Sequence, residues 1–172
     1  MNWLEGKEND NDDLTRWEKN GIWRSSREFK VRRNTTTEFL NVFSHLMKGE
    51  KAVAGLLKIF PRKGSVWALY KNWQSDWDES TPKEVIGKYD IVGVMTDFTE
   101  RMGGSVVPLV KLDGFKSVYH RIQMGSQAVR WVLRTEFLRF SHQIPARRLL
   151  GNEAQNLPKG CWELDPAASP ID

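Results

Sequence analysis

Two serine–histidine neighbours, Ser44-His45 and Ser141-His142, are the first places to look for chemistry. Adjacent residues on a strand point to opposite faces, and adjacent residues on a helix do not face each other. Neither pair is therefore expected to form a nucleophile–base dyad by itself. Each is expected to serve its own part of the chain in the same structural way. The third histidine is His120. The single cysteine, Cys161, lies in a Pro-Gly setting near Lys159, with no histidine adjacent in sequence. That is a poor setting for a catalytic thiol. One cysteine also excludes an intramolecular disulfide and a zinc cage built on thiolates. No glycine-rich loop has the spacing of a phosphate cradle. The expectation is no enzyme, no catalytic residue, no metal site and no cofactor.

Binding chemistry is better represented. The stretch from Pro61 to Trp77 is the richest in aromatics, in a chain that holds eight tryptophans. Aromatic ring faces attract cations, so a cluster of them can cage a methylated ammonium. Tyr70, Trp73 and Trp77 are the candidate rings, with Phe98 as a fourth, and Asp76, Asp78 and Glu79 would form a negative rim for a basic tail. If Val66 to Tyr70 is a strand, Trp67 and Leu69 share one face and Tyr70 lies on the other. Trp67 then belongs to the core, and the three later rings are the more available.

These rings need a frame, and the pattern is that of a small β protein. Short apolar runs at 56–60, 66–70, 89–95, 106–112, 116–122 and 129–133 are separated by turn residues, including Gly103-Gly104 and Asp113-Gly114. Pro108 suggests that its strand lies at an edge or carries a bulge. Residues 135–142 place Phe137, Leu138 and Phe140 too close together for an exposed strand, so a short capping helix or 3-10 turn is expected there, with Thr135 as its N-cap. The tail after Gly151 is rich in Pro and is expected to be extended, pinned by Trp162 and Leu164. The fold class expected is mainly β: a small SH3-like or BAH-like β-barrel with a short capping helix, preceded by a truncated copy of a related unit.

The net charge of +4 is uneven. Residues 1–20 carry three basic and six acidic groups, whereas residues 111–150 carry eight basic groups against Asp113 and Glu136. Arg121, Arg130, Arg134, Arg139, Arg147 and Arg148 could contact phosphates, with Tyr119 and Trp131 stacking on bases. Because these cations are dispersed, nucleic-acid binding is the alternative reading and not the first one. The N-terminus has no apolar signal segment, and no apolar run approaches a membrane span. A nuclear or cytoplasmic protein without membrane contact is expected.

The chain also repeats itself. Thr37-Glu38-Phe39-Leu40-Asn41-Val42-Phe43-Ser44-His45 matches Thr135-Glu136-Phe137-Leu138-Arg139-Phe140-Ser141-His142, with one extra residue in the first copy. The period is too long for a solenoid and suggests duplicated units. The organisation expected is a partial first repeat at 1–50, a complete barrel repeat at 51–150 and an extended tail at 151–172.

Several motifs in order resemble a known family. They are Pro61-Arg62-Lys63-Gly64-Ser65-Val66-Trp67-Ala68-Leu69-Tyr70-Lys71-Asn72-Trp73, Tyr89-Asp90-Ile91-Val92, Pro108-Leu109-Val110-Lys111, Gly114-Phe115, Arg139-Phe140-Ser141-His142 and the run from Pro158 to Ala168. Together they resemble the plant domain of unknown function 3444 that sits C-terminal to J domains in DnaJ-type proteins. Trp3-Leu4-Glu5 and Phe43-Ser44-His45-Leu46 are similar to the end of a preceding copy. The sequence has no His-Pro-Asp motif, the part of a J domain that stimulates a chaperone ATPase. The resemblance implies a non-enzymatic module, with no catalytic residues to carry over. Its expected partner is a protein or peptide, such as a histone tail or a transcription or chaperone factor. Oligomeric state is left open.

Overall fold

The computed structural model describes residues 2–6, 22, 26–34, 45, 47, 49–51, 55–78, 80–122 and 129–169. Strands β1 (Asn2–Gly6), β2 (Arg27–Asn34), β3 (Glu50–Lys51) and β4 (Leu56–Ile59) form an antiparallel sheet in the order β1-β2-β4-β3. This small sheet joins strands from both sides of the repeat boundary placed at 50–51.

The larger sheet holds β5 (Val66–Tyr70), β6 (Tyr89–Val94), β7 (Gly104–Lys111), β8 (Val118–Arg121), β9 (Arg130–Val132), β10 (Phe140–Ile144), β11 (Ala146–Arg148) and β12 (Trp162–Leu164). Its order is β10-β5-β6-β7-β8-β12-β11, with β9 also paired to β7. The protein is thus mainly β. A single turn of helix, α1 (Lys83–Ile86), and a 3-10 helix at Arg134–Arg139 lie among the described residues. No helix among them is long and apolar enough to cross a membrane.

Strand β5 explains the packing. All five of its residues are buried, so it has no solvent face. By the period of two, Trp67 and Leu69 enter one cluster with Val92, Val94, Phe98, Val106, Val132 and Phe140. Phe29 and Ile59 of the small sheet close that cluster. Val66 and Ala68 enter a second cluster with Val107, Leu109, Tyr119, Ile144, Trp162 and Leu164. Ile144 lies on one edge strand of the larger sheet, and Leu164 lies beside the other. Their meeting in one cluster means that the sheet curls around it. The curl follows from connectivity, because the two edge strands β10 and β11 are separated only by Pro145.

Local details depart from expectation at three places. Pro108 is on neither an edge strand nor a bulge. It pairs with Val92 on one side, and on the other it falls where β7 changes partner from β9 (residues 104–106) to β8 (residues 109–111). Its missing N–H therefore removes no ladder bond on that side. The 3-10 helix has Leu133 as N-cap, not Thr135, and Glu136 accepts a hydrogen bond from the Leu133 N–H at 3.1 Å. Phe140 already belongs to β10, so the cap ends earlier than expected. The tail is not merely pinned: β12 is an interior strand, paired to both β8 and β11.

Candidate functional site

The rings proposed for a cage are placed in the interior. Tyr70 is 1% exposed and Trp77 4% exposed, and they meet edge to face with centroids 5.8 Å apart. Ile22 completes their cluster, with half-buried Trp73, Ile86, Tyr89 and Leu138 packed against it. Phe98 is buried in a different cluster, 4.7 Å from Phe137 and 5.6 Å from Phe140. The four rings therefore do not form an open cage. The physical reason is that each aromatic side chain removes about 150–250 Å² from water, roughly 4–6 kcal/mol at 25 cal/mol per Å². Of the proposed rim, Asp76 is exposed. The Asp78 carboxylate accepts bonds from the Ser80 N–H and hydroxyl at 2.9 and 2.6 Å, which ties it into its own turn. Glu79 lies outside the described residues.

Ser141 and His142 do meet, against the expectation from adjacency. Register shifts between Phe140, opposite Leu69, and His142, opposite Ala68, so Ser141 is the extra residue of a bulge. The bulge brings Ser141 Oγ to 3.1 Å from His142 Nδ1. His142 Nε2 is 3.0 Å from the Ala168 carbonyl oxygen. A carbonyl can only accept, so Nε2 donates, and whenever the ring is neutral Nδ1 accepts from the serine. The Tyr70 hydroxyl is hydrogen-bonded to Ser141 and Tyr89, and burial pushes its pKa up to about 12. His45 shares this environment: burial lowers its pKa, nearby Asp165 opposes that shift, and the charge of His142 adds to it. The two repeat histidines thus do not serve separate units. Ser141 is buried and its hydroxyl is held from two sides, so the chain of bonds suits fixing the C-terminal segment to β10 better than attack on a substrate. Cys161 is also buried; burial raises its thiol pKa, and Arg148 opposes that. Among the described residues no group of three or more His, Cys, Asp or Glu side chains is placed to hold a metal ion.

The six arginines are not one track. Arg147 is held by Glu163 at 2.7 Å, Arg139 by Glu136 at 2.9 Å, and Arg130 lies 3.8 Å from Asp90. Arg121 and Arg148 both lie over the Trp162 ring, 5.4 and 4.1 Å from its centroid. Arg147 and Arg148, being neighbours on β11, project to opposite faces. Arg134 is exposed at the start of the 3-10 helix.

Trp131, expected only as a base-stacking residue of the nucleic-acid alternative, belongs to an apolar strip around β9 that was not expected as a site. Trp131 is 49% exposed and Met102 64% exposed, with Val129 and Leu133 about half exposed beside them. The Trp131 indole N–H donates to the Met102 carbonyl at 2.8 Å, which fixes the ring against the β6–β7 turn. Strand β9 pairs only with β7 among the described residues, so its other side is an edge. Gly103 makes this junction possible. Its φ is +80°, and a Cβ there would sit 2.1 Å from the Val132 carbonyl oxygen. The signal for the strip was present: Val129, Trp131 and Leu133 alternate on one face while Val132 supplies the buried one. A strand apolar on both faces, in a sheet that can bury only one of them there, marks a surface patch.

The family model described as "Domain of unknown function (DUF3444)" matches residues 1–153. Searches of the curated proteins and of the solved structures found no match.

Proposed function

We propose, from the premise that the chain belongs to the DUF3444 family, that it is a non-enzymatic protein-recognition module whose contact surface is the β9 strip. The observation that carries this reading is Trp131. Its N–H is already satisfied within the fold, so what it offers to solvent is the apolar ring. Beside it runs a strand edge that is unpaired among the described residues and can accept an extended peptide as a further strand. Exposed Arg101 and Arg134 flank Met102 and Leu133 in sequence and have no carboxylate partner among the described residues, and Arg130 lies on β9 itself. The partner that complements this surface is an acidic segment with apolar side chains, added in extended form. This reverses the charge of the ligand expected from the sequence, a basic or methylated tail. The resemblance to a plant domain found beside J domains makes chaperone- and transcription-linked proteins of the nucleus or cytoplasm the first candidates.

The test is binding of the full chain to acidic peptides carrying alternate apolar residues, against unmodified and methylated histone-tail peptides, at two salt concentrations. Acidic peptides are expected to bind more weakly at higher salt, and Trp131→Ala to weaken them at least about thirtyfold, as for a tryptophan anchor. Preferential binding of the basic peptides, lost in Trp73→Ala and kept in Trp131→Ala, would overturn the assignment.

A further inference from the structure

Strands β11, β12 and β8 carry an arrangement that the β9 strip does not use. Arg148, Trp162 and Tyr119 are register partners across the three strands, and Arg121 follows two residues after Tyr119 on the same face. Both guanidiniums settle on the Trp162 ring, at 4.1 Å for Arg148 and 5.4 Å for Arg121. Those distances bound their separation at roughly 10 Å, about one Debye length at 0.1 M salt, so the two charges repel each other. The nearby carboxylates are committed elsewhere. Glu163 faces the opposite side with Arg147, and Glu153 accepts the backbone N–H groups of Leu150, Gly151 and Asn152. Among the described residues, neither Arg121 nor Arg148 has a carboxylate partner, and the Nε of Arg121 is buried with no hydrogen-bond acceptor. A buried donor without an acceptor needs an explanation. Gly160 adds to it, because a Cβ there would come within 3.0 Å of an Arg148 terminal nitrogen, so this glycine leaves the guanidinium its place above the ring.

We propose that Arg121 and Arg148, held on Trp162, form a binding site for a phosphoryl group carried by a peptide partner. Two guanidiniums match the oxygens of a phosphoryl group with paired N–H donors and neutralise its double charge. The surrounding ion pairs favour a peptide over nucleic acid as the source. With Arg147, Arg139 and Arg130 engaged with Glu163, Glu136 and Asp90, the described arginines form no continuous track for a phosphate backbone. The site lies on strands other than β9, so it stands or falls independently of the Trp131 strip.

The experiment titrates the full chain with inorganic phosphate, O-phosphoserine, a phosphoserine pentapeptide and its unphosphorylated form, and a single-stranded oligonucleotide. Ionic strength is matched with sodium chloride. The readouts are the Trp162 indole resonance, assigned with Trp162→Phe, and the thermal unfolding midpoint. The phosphorylated peptide is expected to give a saturable shift of the Trp162 signal and to raise the midpoint, while the unphosphorylated form does neither. Arg121→Gln and Arg148→Gln are each expected to weaken this at least about tenfold, and Arg148→Lys, which keeps the charge but loses the planar donor fork stacked on the ring, to weaken it also. Arg147→Gln should stay within about twofold, since its guanidinium serves the other face. No phosphate response beyond matched chloride, or equal losses in Arg147→Gln and Arg148→Gln, overturns the site. Oligonucleotide binding tighter than the phosphopeptide, with a salt slope well above that of two phosphate contacts, overturns the peptide source.

Discussion

Replacing Gly103 by alanine tests how the β9 strip is displayed. Two costs act at this position. The backbone has φ +80°, a region that costs an L-residue roughly 1–2 kcal/mol. The added Cβ would also stand 2.1 Å from the Val132 carbonyl oxygen and 3.1 Å from the Leu133 Cα. Both obstacles are backbone, so no side chain can swing away. Gly103 is held in turn by reciprocal bonds with Thr99, at 2.9 and 3.1 Å, so relief must come from shifting β9 off β7. Forced overpacking of this kind adds roughly 1–3 kcal/mol. Gly64→Ala isolates that second contribution, because Gly64 has φ +86° and nothing within 4 Å of its missing Cβ. The gain from a stiffer unfolded chain is common to both variants and cancels. The difference between them is then the clash alone, about 2 kcal/mol, or about 1 M in urea midpoint at a slope near 2 kcal/mol per M. Equilibrium unfolding followed by far-ultraviolet circular dichroism gives the midpoints, and amide exchange of β9 reports local detachment. Coincident midpoints, with β9 protection unchanged in Gly103→Ala, would refute the reasoning.

Two further outcomes separate core from surface and fix a pH dependence. Trp77→Ala should cost about 3–5 kcal/mol in urea unfolding as a core truncation, whereas loss of an exposed rim residue would stay within about 0.5 kcal/mol; the second result would return Trp77 to a ligand-facing role. Burial lowers the folded-state pKa of His45 below 6.5, so the folded state binds fewer protons there than the unfolded chain. Its contribution to stability is therefore complete above pH 6.5 and is lost as pH falls through the lowered folded value, with Asp165 and His142 as the charged neighbours that tune it. The thermal midpoint should fall on acidification through that window, and His45→Gln should flatten the slope. A slope unchanged in that variant would assign the effect elsewhere.

Much of the frame could be read from local pattern. Val66–Tyr70 is legible with its bounds because an unbroken apolar run between turns admits little else, and the period of two places Trp67 in the core. The runs that became β6, β7 and β8 were legible for the same reason. What local pattern did not contain was the other wall of each cluster. Whether Tyr70 and Trp77 are exposed depends on Ile22, Tyr89 and Leu138, which reach them from distant parts of the chain. The contact between Ser141 and His142 depends on a bulge set by pairing with β5, not on the two residues themselves. Pro108 looked like an edge signal because a strand that changes partner halfway cannot be recognised from its own residues. The β9 strip is the opposite case: its alternation is visible in the sequence, and which of its two apolar faces is buried depends on the neighbours of Val132.

The position of β12 has a consequence for the order in which the protein can be completed. It is the last strand among the described residues, yet it lies between β8 and β11, both of which precede it. While the chain is being made, those two strands have no partner on their facing sides until Trp162 to Leu164 has left the ribosome. Sheet closure is therefore a late event that joins distant segments, the kind of topology that folds in milliseconds to seconds and exposes strand edges meanwhile. A chain stopped at residue 153, where the family match ends, would lack that strand and retain both open edges. A nascent or shortened form is thus the one most in need of protection from self-association.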